Sequence, residues 1–168
     1  MLWDFDSADP GQLSQLRRDP HIIFHQYRPE KDAVDTQLAL ELALDKKSSE
    51  IHILGGTGTR LDHMLGTVRL PGLAMERGVP CYLVDAHNRI RLIRERTVLK
   101  KSEQYGDYVS LIPLTTQVSE VTLTGFKYPL RNYTLGGFES LGISNEIVEE
   151  EAVVDFKDGI LIRAESRD

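Results

Sequence analysis

The sequence lacks most features that mark secreted and membrane-spanning proteins. Cys81 is its single cysteine, so no disulfide forms within the chain. No run approaches the roughly 20 apolar residues that span a bilayer. Residues 1–6 lack the basic and apolar regions of a signal peptide. We therefore expect a cytoplasmic protein without a membrane segment.

Basic charge is also scarce. The formal net charge is −6, and no block rich in Lys and Arg occurs in the 168 residues. Surfaces that bind nucleic acids cluster these residues, because they neutralise the phosphate backbone. The charge pattern therefore argues against a nucleic-acid partner and leaves acidic side chains available for a cation.

The first half of the chain alternates between helical and strand-like segments. Residues 33–44 repeat apolar side chains at helical spacing, and the apolar runs 51–54 and 81–84 predict short buried strands. Between those runs, residues 62–75 predict a helix that is broken at Pro71-Gly72. Such alternation predicts a Rossmann-like α/β domain with a mainly parallel sheet.

After residue 94 the helical spacing disappears. Segments 108–112, 118–123, 152–156 and 160–163 are rich in the β-branched and apolar residues that strands favour. Glycines separate these segments, and Asp158-Gly159 is typical of a hairpin turn. We therefore predict a small all-β sandwich domain over residues 95–168, following the α/β domain of residues 1–94.

Aspartates cluster near the predicted edges of the α/β elements. Asp4 and Asp6 share one face of an extended segment, and Asp32 and Asp35 share one face at the start of a helix. Asp62 follows a glycine-rich turn. Carboxylates that converge at the carboxyl ends of parallel strands favour a hard cation such as Mg²⁺. Each aspartate taken alone is more often a helix cap.

The segment Gly-Gly-Thr-Gly-Thr-Arg at residues 55–60 lies between a predicted strand and a predicted helix. Its glycines allow backbone N–H groups to approach a phosphate, and Arg60 can donate to phosphate oxygens. The pattern matches neither the dinucleotide fingerprint nor the P-loop, so by itself it also fits an ordinary tight turn. His63, three residues later, is either a proton carrier or a structural histidine.

Several segments, taken in order, resemble the thiamine pyrophosphokinase family along nearly the whole chain. Asp-Phe-Asp-Ser occurs at residues 4–7 and Glu-Lys-Asp-x-x-Asp at residues 30–35. Gly-x-x-Gly-x-Arg-x-Asp-His follows at residues 55–63, Tyr-x-Ser-Leu-x-Pro-Leu at residues 108–114, and Ser-Asn-Glu at residues 144–146. The combination is far more specific than any single motif.

The resemblance implies a transferase that moves a diphosphate group from ATP to thiamine with the help of Mg²⁺. It also implies an α/β domain followed by a β-sandwich. The family acts as a homodimer, with thiamine between the α/β domain of one subunit and the β domain of the other.

The resemblance further implies roles for particular residues. Mg²⁺ is expected on Asp4, Asp6 and Asp32, while Arg60 and Lys31 balance the charge of the triphosphate. The residues expected to order the site or to help deprotonate the thiamine hydroxyl are Asp35, Asp62 and His63. Ser144 and Asn145 are expected to contact thiamine from the β domain.

Two alternatives remain open from the sequence. The family's first strand and Ala-Asp-Gly-Gly segment have no counterpart in these residues, and Val34 stands where the family has threonine. One alternative is therefore a truncated homologue that binds thiamine or its diphosphate without making it. The other is a pyrophosphokinase for a pterin or a nucleoside, which the Ser-Asn-Glu segment at 144–146 disfavours.

Overall fold

The computed structural model describes residues 34–168 continuously. Before them it describes Leu2–Trp3, Gly11, Ser14, Arg18, Pro20 and His25–Gln26. The chain divides into two compact units, Met1–Ser48 and Ser49–Asp168.

The described residues of the first unit include two short strands and one long helix. Strand β1 (Leu2–Trp3) pairs in parallel with β2 (His25–Gln26), and β1 also contacts helix α1 (Asp35–Asp45). Leu40 and Leu44 of α1 are buried, as the apolar spacing predicts. The predicted helix over residues 33–44 is thus confirmed.

The second unit contains two α-helices and nine strands among the residues that the structure describes. In chain order they are β3 (Ile51–Leu54), α2 (Leu61–Arg69), α3 (Pro71–Glu76), β4 (Cys81–Val84), β5 (Asn88–Ile93), β6 (Thr97–Lys100), β7 (Tyr108–Pro113), β8 (Gln117–Thr124), β9 (Leu130–Gly136), β10 (Glu151–Asp155) and β11 (Leu161–Ser166). The break between α2 and α3 falls immediately before Pro71, whose ring cannot continue a helix but suits a first helical turn.

Five of these strands form one sheet in the order β3-β4-β5-β11-β7. Only β3 and β4 are parallel within it, and the other three pairs are antiparallel. Within residues 1–94, for which a mainly parallel sheet is predicted, the described pairs β1–β2 and β3–β4 are parallel and β4–β5 is antiparallel, so the five-stranded sheet as a whole is mixed. The physical reason is the connection from β4 to β5, which has only three residues and can join antiparallel strands alone.

The other four strands form an antiparallel sheet in the order β6-β10-β8-β9. Apolar side chains from both sheets pack into one core, which includes Val109, Leu111, Val121, Val154 and Leu161. Burying a side chain of this kind contributes roughly 1.5–3 kcal/mol. These sheets confirm the β-sandwich that follows the α/β part of the chain.

The predicted boundary between residues 94 and 95 lies where the chain passes from one sheet to the other. Strand β5 ends at Ile93 in the five-stranded sheet, and β6 begins at Thr97 in the four-stranded sheet. In the five-stranded sheet, β5 from before this position pairs with β11 from after it. Hydrogen bonds of one sheet therefore join the two predicted domains. The domain division stays a prediction.

Two further features of the described residues bear on function. None of their helices is long and apolar enough to cross a membrane. Cys81 is a free thiol at the start of β4. Burial raises the pKa of this thiol to about 11, so it stays protonated and unreactive at neutral pH.

Candidate active site

The glycine-rich segment forms the turn between β3 and α2. Gly55 has a φ of +73°, which is costly for residues with a side chain. Gly56 is packed so closely that a Cβ atom would lie 2.7 Å from Leu83 Cδ1 and 2.9 Å from Thr67 Cγ2. The two glycines therefore allow the chain to turn sharply at the carboxyl end of β3.

Arg60 and Asp62 form a bidentate ion pair where this turn enters α2. Arg60 Nη2 donates to Asp62 Oδ2 at 2.7 Å, and Arg60 Nε donates to Oδ1 at 3.2 Å. Both side chains are about two-thirds exposed. The hydrogen bond from Arg60, followed by one from the backbone N–H of His63, lowers the pKa of Asp62 to about 2. Asp62 is therefore a carboxylate at neutral pH.

His63 lies in the first turn of α2, immediately after Asp62, and is exposed. Residues 60, 62 and 63 thus surround the N-terminus of α2, where unpaired backbone N–H groups and the helix dipole favour an anion. The joint action of these three residues in catalysis stays a prediction.

Asp85 belongs to the same neighbourhood but was missed by the sequence-based reasoning. It follows β4 and accepts hydrogen bonds from the backbone N–H groups of His87 at 2.8 Å and Asn88 at 2.7 Å. Partial burial acts to raise the pKa of Asp85, but the Thr57 hydroxyl and these N–H groups outweigh it and lower the pKa. Asp85 therefore ties the glycine-rich turn to the β4–β5 connection. The Asp-x-x-Asn pattern after a buried strand was the available signal.

Ser144 and Asn145 lie between β9 and β10. Ser144 has a φ of +55° and is exposed, and its backbone N–H donates to Ser110 Oγ at 3.0 Å. Asn145 is buried. Its Oδ1 accepts from Tyr128 N at 3.0 Å and Glu146 N at 2.9 Å, while Nδ2 donates to Tyr128 O at 2.8 Å. The Asn145 amide thus holds the loop in place, and a contact with thiamine stays a prediction.

The remaining predicted site residues are not brought together by what the structure describes. Asp35 begins α1 in the first unit. Asp4, Asp6, Lys31 and Asp32 lie outside the described residues. Among residues that are described, no group of three or more His, Cys, Asp or Glu side chains is placed to hold a metal ion. The predicted Mg²⁺ site therefore stays a prediction.

Two sequence models of protein families match the chain. The model described as "Thiamin pyrophosphokinase, catalytic domain" matches residues 1–83, and "Thiamin pyrophosphokinase, vitamin B1 binding domain" matches residues 96–161. Thiamine pyrophosphokinase from Bacillus subtilis is 35% identical over 165 residues, covering 98% of this chain and 77% of that protein. The chain belongs to the thiamine pyrophosphokinase family.

Solved structures of the family share this fold. The crystal structure of thiamine pyrophosphokinase from Bacillus subtilis superposes with a TM-score of 0.91 and covers 99% of this chain and 78% of that one. That of thiamin pyrophosphokinase from Geobacillus thermodenitrificans is 34% identical, with a TM-score of 0.86, and covers 99% and 76%. The match to the catalytic model contains the β3–α2 turn, and the match to the vitamin B1 binding model contains Ser144 and Asn145.

Proposed function

We propose that the chain is a transferase that moves the diphosphate of ATP onto thiamine, giving thiamine diphosphate and AMP. The observation that carries the proposal is the pair of adjoining family matches, catalytic and vitamin B1 binding, on one chain. Membership of the thiamine pyrophosphokinase family supports ATP and thiamine as its two small-molecule substrates.

In this reaction the thiamine hydroxyl oxygen attacks the β-phosphorus of ATP. The bond from the β-phosphorus to the α,β-bridging oxygen breaks, AMP leaves, and the hydroxyl proton passes to a base. Transfers of this kind depend mainly on positioning and on stabilising phosphate charge. Groups that fix the phosphates therefore matter more than groups that make covalent bonds.

Arg60 is the described residue best suited to this task. Its Nε and Nη2 atoms are held by Asp62, so the plane of the guanidinium is fixed and Nη1 can donate to a phosphate oxygen. The glycine-rich turn and the N-terminus of α2 supply backbone N–H donors beside it. Lys31 adds a second positive charge, and Asp35, Asp62 and His63 order the site or help to remove the hydroxyl proton.

The proposal includes a Mg²⁺ ion held by Asp4, Asp6 and Asp32. Three carboxylates are hard oxygen donors, the ligand type that Mg²⁺ prefers when it also binds phosphates. The ion, when bound, neutralises phosphate charge. Ser144 and Asn145 contact thiamine in a homodimer, and a cytoplasmic location fits a reaction that consumes ATP.

The activity is tested by following AMP and thiamine diphosphate together after mixing protein, thiamine and ATP with Mg²⁺. We expect equal amounts of both products. Arg60→Gln should lower kcat/KM roughly 100- to 1,000-fold, as loss of one preorganised donor does. Arg69→Gln, at the other end of α2, is the matched control and should retain activity. Thiamine binding without AMP release would support the binding-only alternative instead.

The metal assignment has a separate test. Asp32→Ala should abolish Mg²⁺-dependent binding of ATP, measured by calorimetry, while Asp155→Ala on β10 should leave it unchanged. Circular dichroism checks that both variants keep the fold. If Asp32→Ala binds Mg²⁺-ATP as the parent does, the three aspartates are not the metal site.

A further inference from the structure

A cavity of about 210 Å³ lies in the second unit, lined by residues of both sheets. From the five-stranded sheet it is lined by Tyr82, Arg89, Arg91, Arg163 and Glu165. The rest of the lining comes from β6, from the short turn after it, which includes Gln104, and from Ile147. None of these residues belongs to the β3–α2 turn, so the cavity is separate from the proposed nucleotide site, and it borders the Ser144–Asn145 loop only through Ile147.

Strand alternation brings charged side chains to the inner face of the sandwich. Leu161, Arg163 and Glu165 follow one another at every second position of β11 and are all buried. The register of β11 with β5 places Arg163 directly opposite Arg91 and Glu165 opposite Arg89. Two like charges at directly opposite positions destabilise a sheet unless something neutralises them.

Glu165 neutralises only part of this positive charge. Its carboxylate accepts from Arg89 Nη2 at 2.7 Å and from the backbone N–H of Tyr105 at 2.9 Å, and it forms an ion pair with Arg163, whose Nη2 lies 2.9 Å from Oε1. Arg91 donates to the Tyr82 hydroxyl at 3.1 Å, which is a neutral partner. Arg89 and Arg163 therefore share one buried carboxylate, which is only 2% exposed, while Arg91 is paired with a neutral hydroxyl. The Glu103 carboxylate, which also lines the cavity, is paired with Lys100 at 3.1 Å.

The electrostatic environment of Arg163 reflects this imbalance. Burial is the largest cause that lowers the pKa of its guanidinium, and repulsion from Arg89 and Arg91 lowers it further, against the attraction of Glu165. A buried charge is tolerated when it is paired and hydrogen-bonded. An additional negative charge beside Arg91 and Arg163 would meet that requirement.

Two buried polar atoms beside the cavity have no hydrogen-bond partner among the described residues. They are Arg163 Nε, a donor, and Gln104 Oε1, an acceptor. The Arg163 side chain is 94% buried, being 6% exposed. Unsatisfied buried polar atoms are rare because each costs about 1–3 kcal/mol. Their presence together indicates a ligand that both accepts and donates hydrogen bonds.

We propose that this cavity binds a small oxyanion of the phosphate class, held between Arg91 and Arg163. The anion oxygens accept from the guanidinium groups, including Arg163 Nε, with the forked geometry that suits arginine and phosphate. The hydroxyl of a protonated phosphate donates to Gln104 Oε1. The bound charge offsets the repulsion between the two opposed arginines and so stabilises the sandwich.

Inorganic phosphate is the probe for the test. The thermal midpoint of unfolding is measured as phosphate replaces chloride at constant ionic strength, so that general screening is unchanged. A ligand that binds only the folded protein raises this midpoint. We expect a rise for the wild-type chain, and Arg91→Gln should weaken the apparent phosphate affinity roughly tenfold or more.

Two control variants locate the binding. Arg131→Gln makes the same charge change at an exposed position on β9 and should keep the phosphate response. Arg60→Gln should also keep it, because the nucleotide site is separate. If the response is lost in Arg60→Gln and kept in Arg91→Gln, phosphate binds at the β3–α2 turn and the cavity proposal is wrong. Absence of any response in the wild-type chain would also overturn it.

A second measurement needs no substitution. Phenylglyoxal modifies accessible arginines, and peptide mass spectrometry reports the extent at each one. Phosphate should protect Arg91 while leaving Arg131 equally reactive. Equal modification of Arg91 with and without phosphate would contradict the proposal even if the Arg91→Gln chain fails to fold.

Discussion

The ion pair between Arg60 and Asp62 can be tested at the scale of single residues. Asp62 has a pKa of about 2, below its ordinary value of 3.8. Because the folded-state pKa is lowered, any stability from the pair is present above about pH 3.8 and is lost as the pH falls through about 2. The pair is therefore intact throughout the neutral range in which the reaction runs.

Arg60→Gln should move the pKa of Asp62 up toward its ordinary value, since the largest cause of the shift is the hydrogen bond from Arg60. Carboxyl carbon chemical shifts followed by NMR between pH 1.5 and about 6 would measure it, a window set by the shifted and ordinary values. Arg69→Gln is the control and should leave the Asp62 pKa at about 2. An unchanged pKa in Arg60→Gln would mean that the His63 backbone N–H dominates instead.

At the scale of elements, the β3–α2 turn depends on close packing at one glycine. A Cβ atom at Gly56 would approach Leu83 Cδ1 to 2.7 Å, whereas at Gly58 nothing lies within 4 Å. Gly56→Ala should therefore lower the free energy of unfolding by about 1–3 kcal/mol, the usual cost of overpacking. Gly58→Ala, the matched control, should change it by less than about 0.5 kcal/mol.

Urea denaturation of both variants would measure the difference through the midpoint at constant m-value. Equal stability of Gly56→Ala and the parent would show that β4 and α2 move apart easily. The Gly56→Ala substitution would then also have little effect on activity, because the β3–α2 turn would not be held rigidly.

The same elements show which local features can be read from sequence. Strand β3 has the predicted bounds, because a short apolar-rich run before a glycine-rich turn marks a strand, but only Ile51 within it is buried and Leu54 is 74% exposed. The break predicted at Pro71-Gly72 falls before Pro71 itself, since proline suits the first turn of a new helix. Strands β5 and β9 were not predicted, because charged or polar residues such as Arg89, Arg91 and Asn132 interrupt their apolar pattern.

At the scale of the whole molecule, exposed apolar side chains support the proposed homodimer. Phe138 is fully exposed, and Leu141 and Ile143 nearby are about half exposed. Three large apolar side chains exposed within six residues of the chain make this segment a candidate interface. Light scattering at micromolar concentrations should give twice the mass of one chain.

Phe138→Asp should shift the assembly toward the monomer, because it places a charge in apolar surface that the partner would bury. Val148→Asp makes the same charge change at another half-exposed apolar position and serves as the control. A monomer mass for the parent at every concentration would exclude the dimer.

The sequence by itself determined the family, the order of α/β and β segments, and the grouping of Arg60, Asp62 and His63. These features depend on short spacings, such as successive positions around one helical turn, and short spacings are visible in the chain. The predicted Mg²⁺ ligands were identified in the same way and stay predictions.

Only the tertiary structure decided which distant residues meet. It placed β3 and β4 in a mixed sheet with β11, tied Asp85 to the glycine-rich turn, and set Arg163 opposite Arg91. Such pairings follow from strand register and from which face each sheet buries. Register is a property of two segments far apart in the chain, and neither segment encodes it alone.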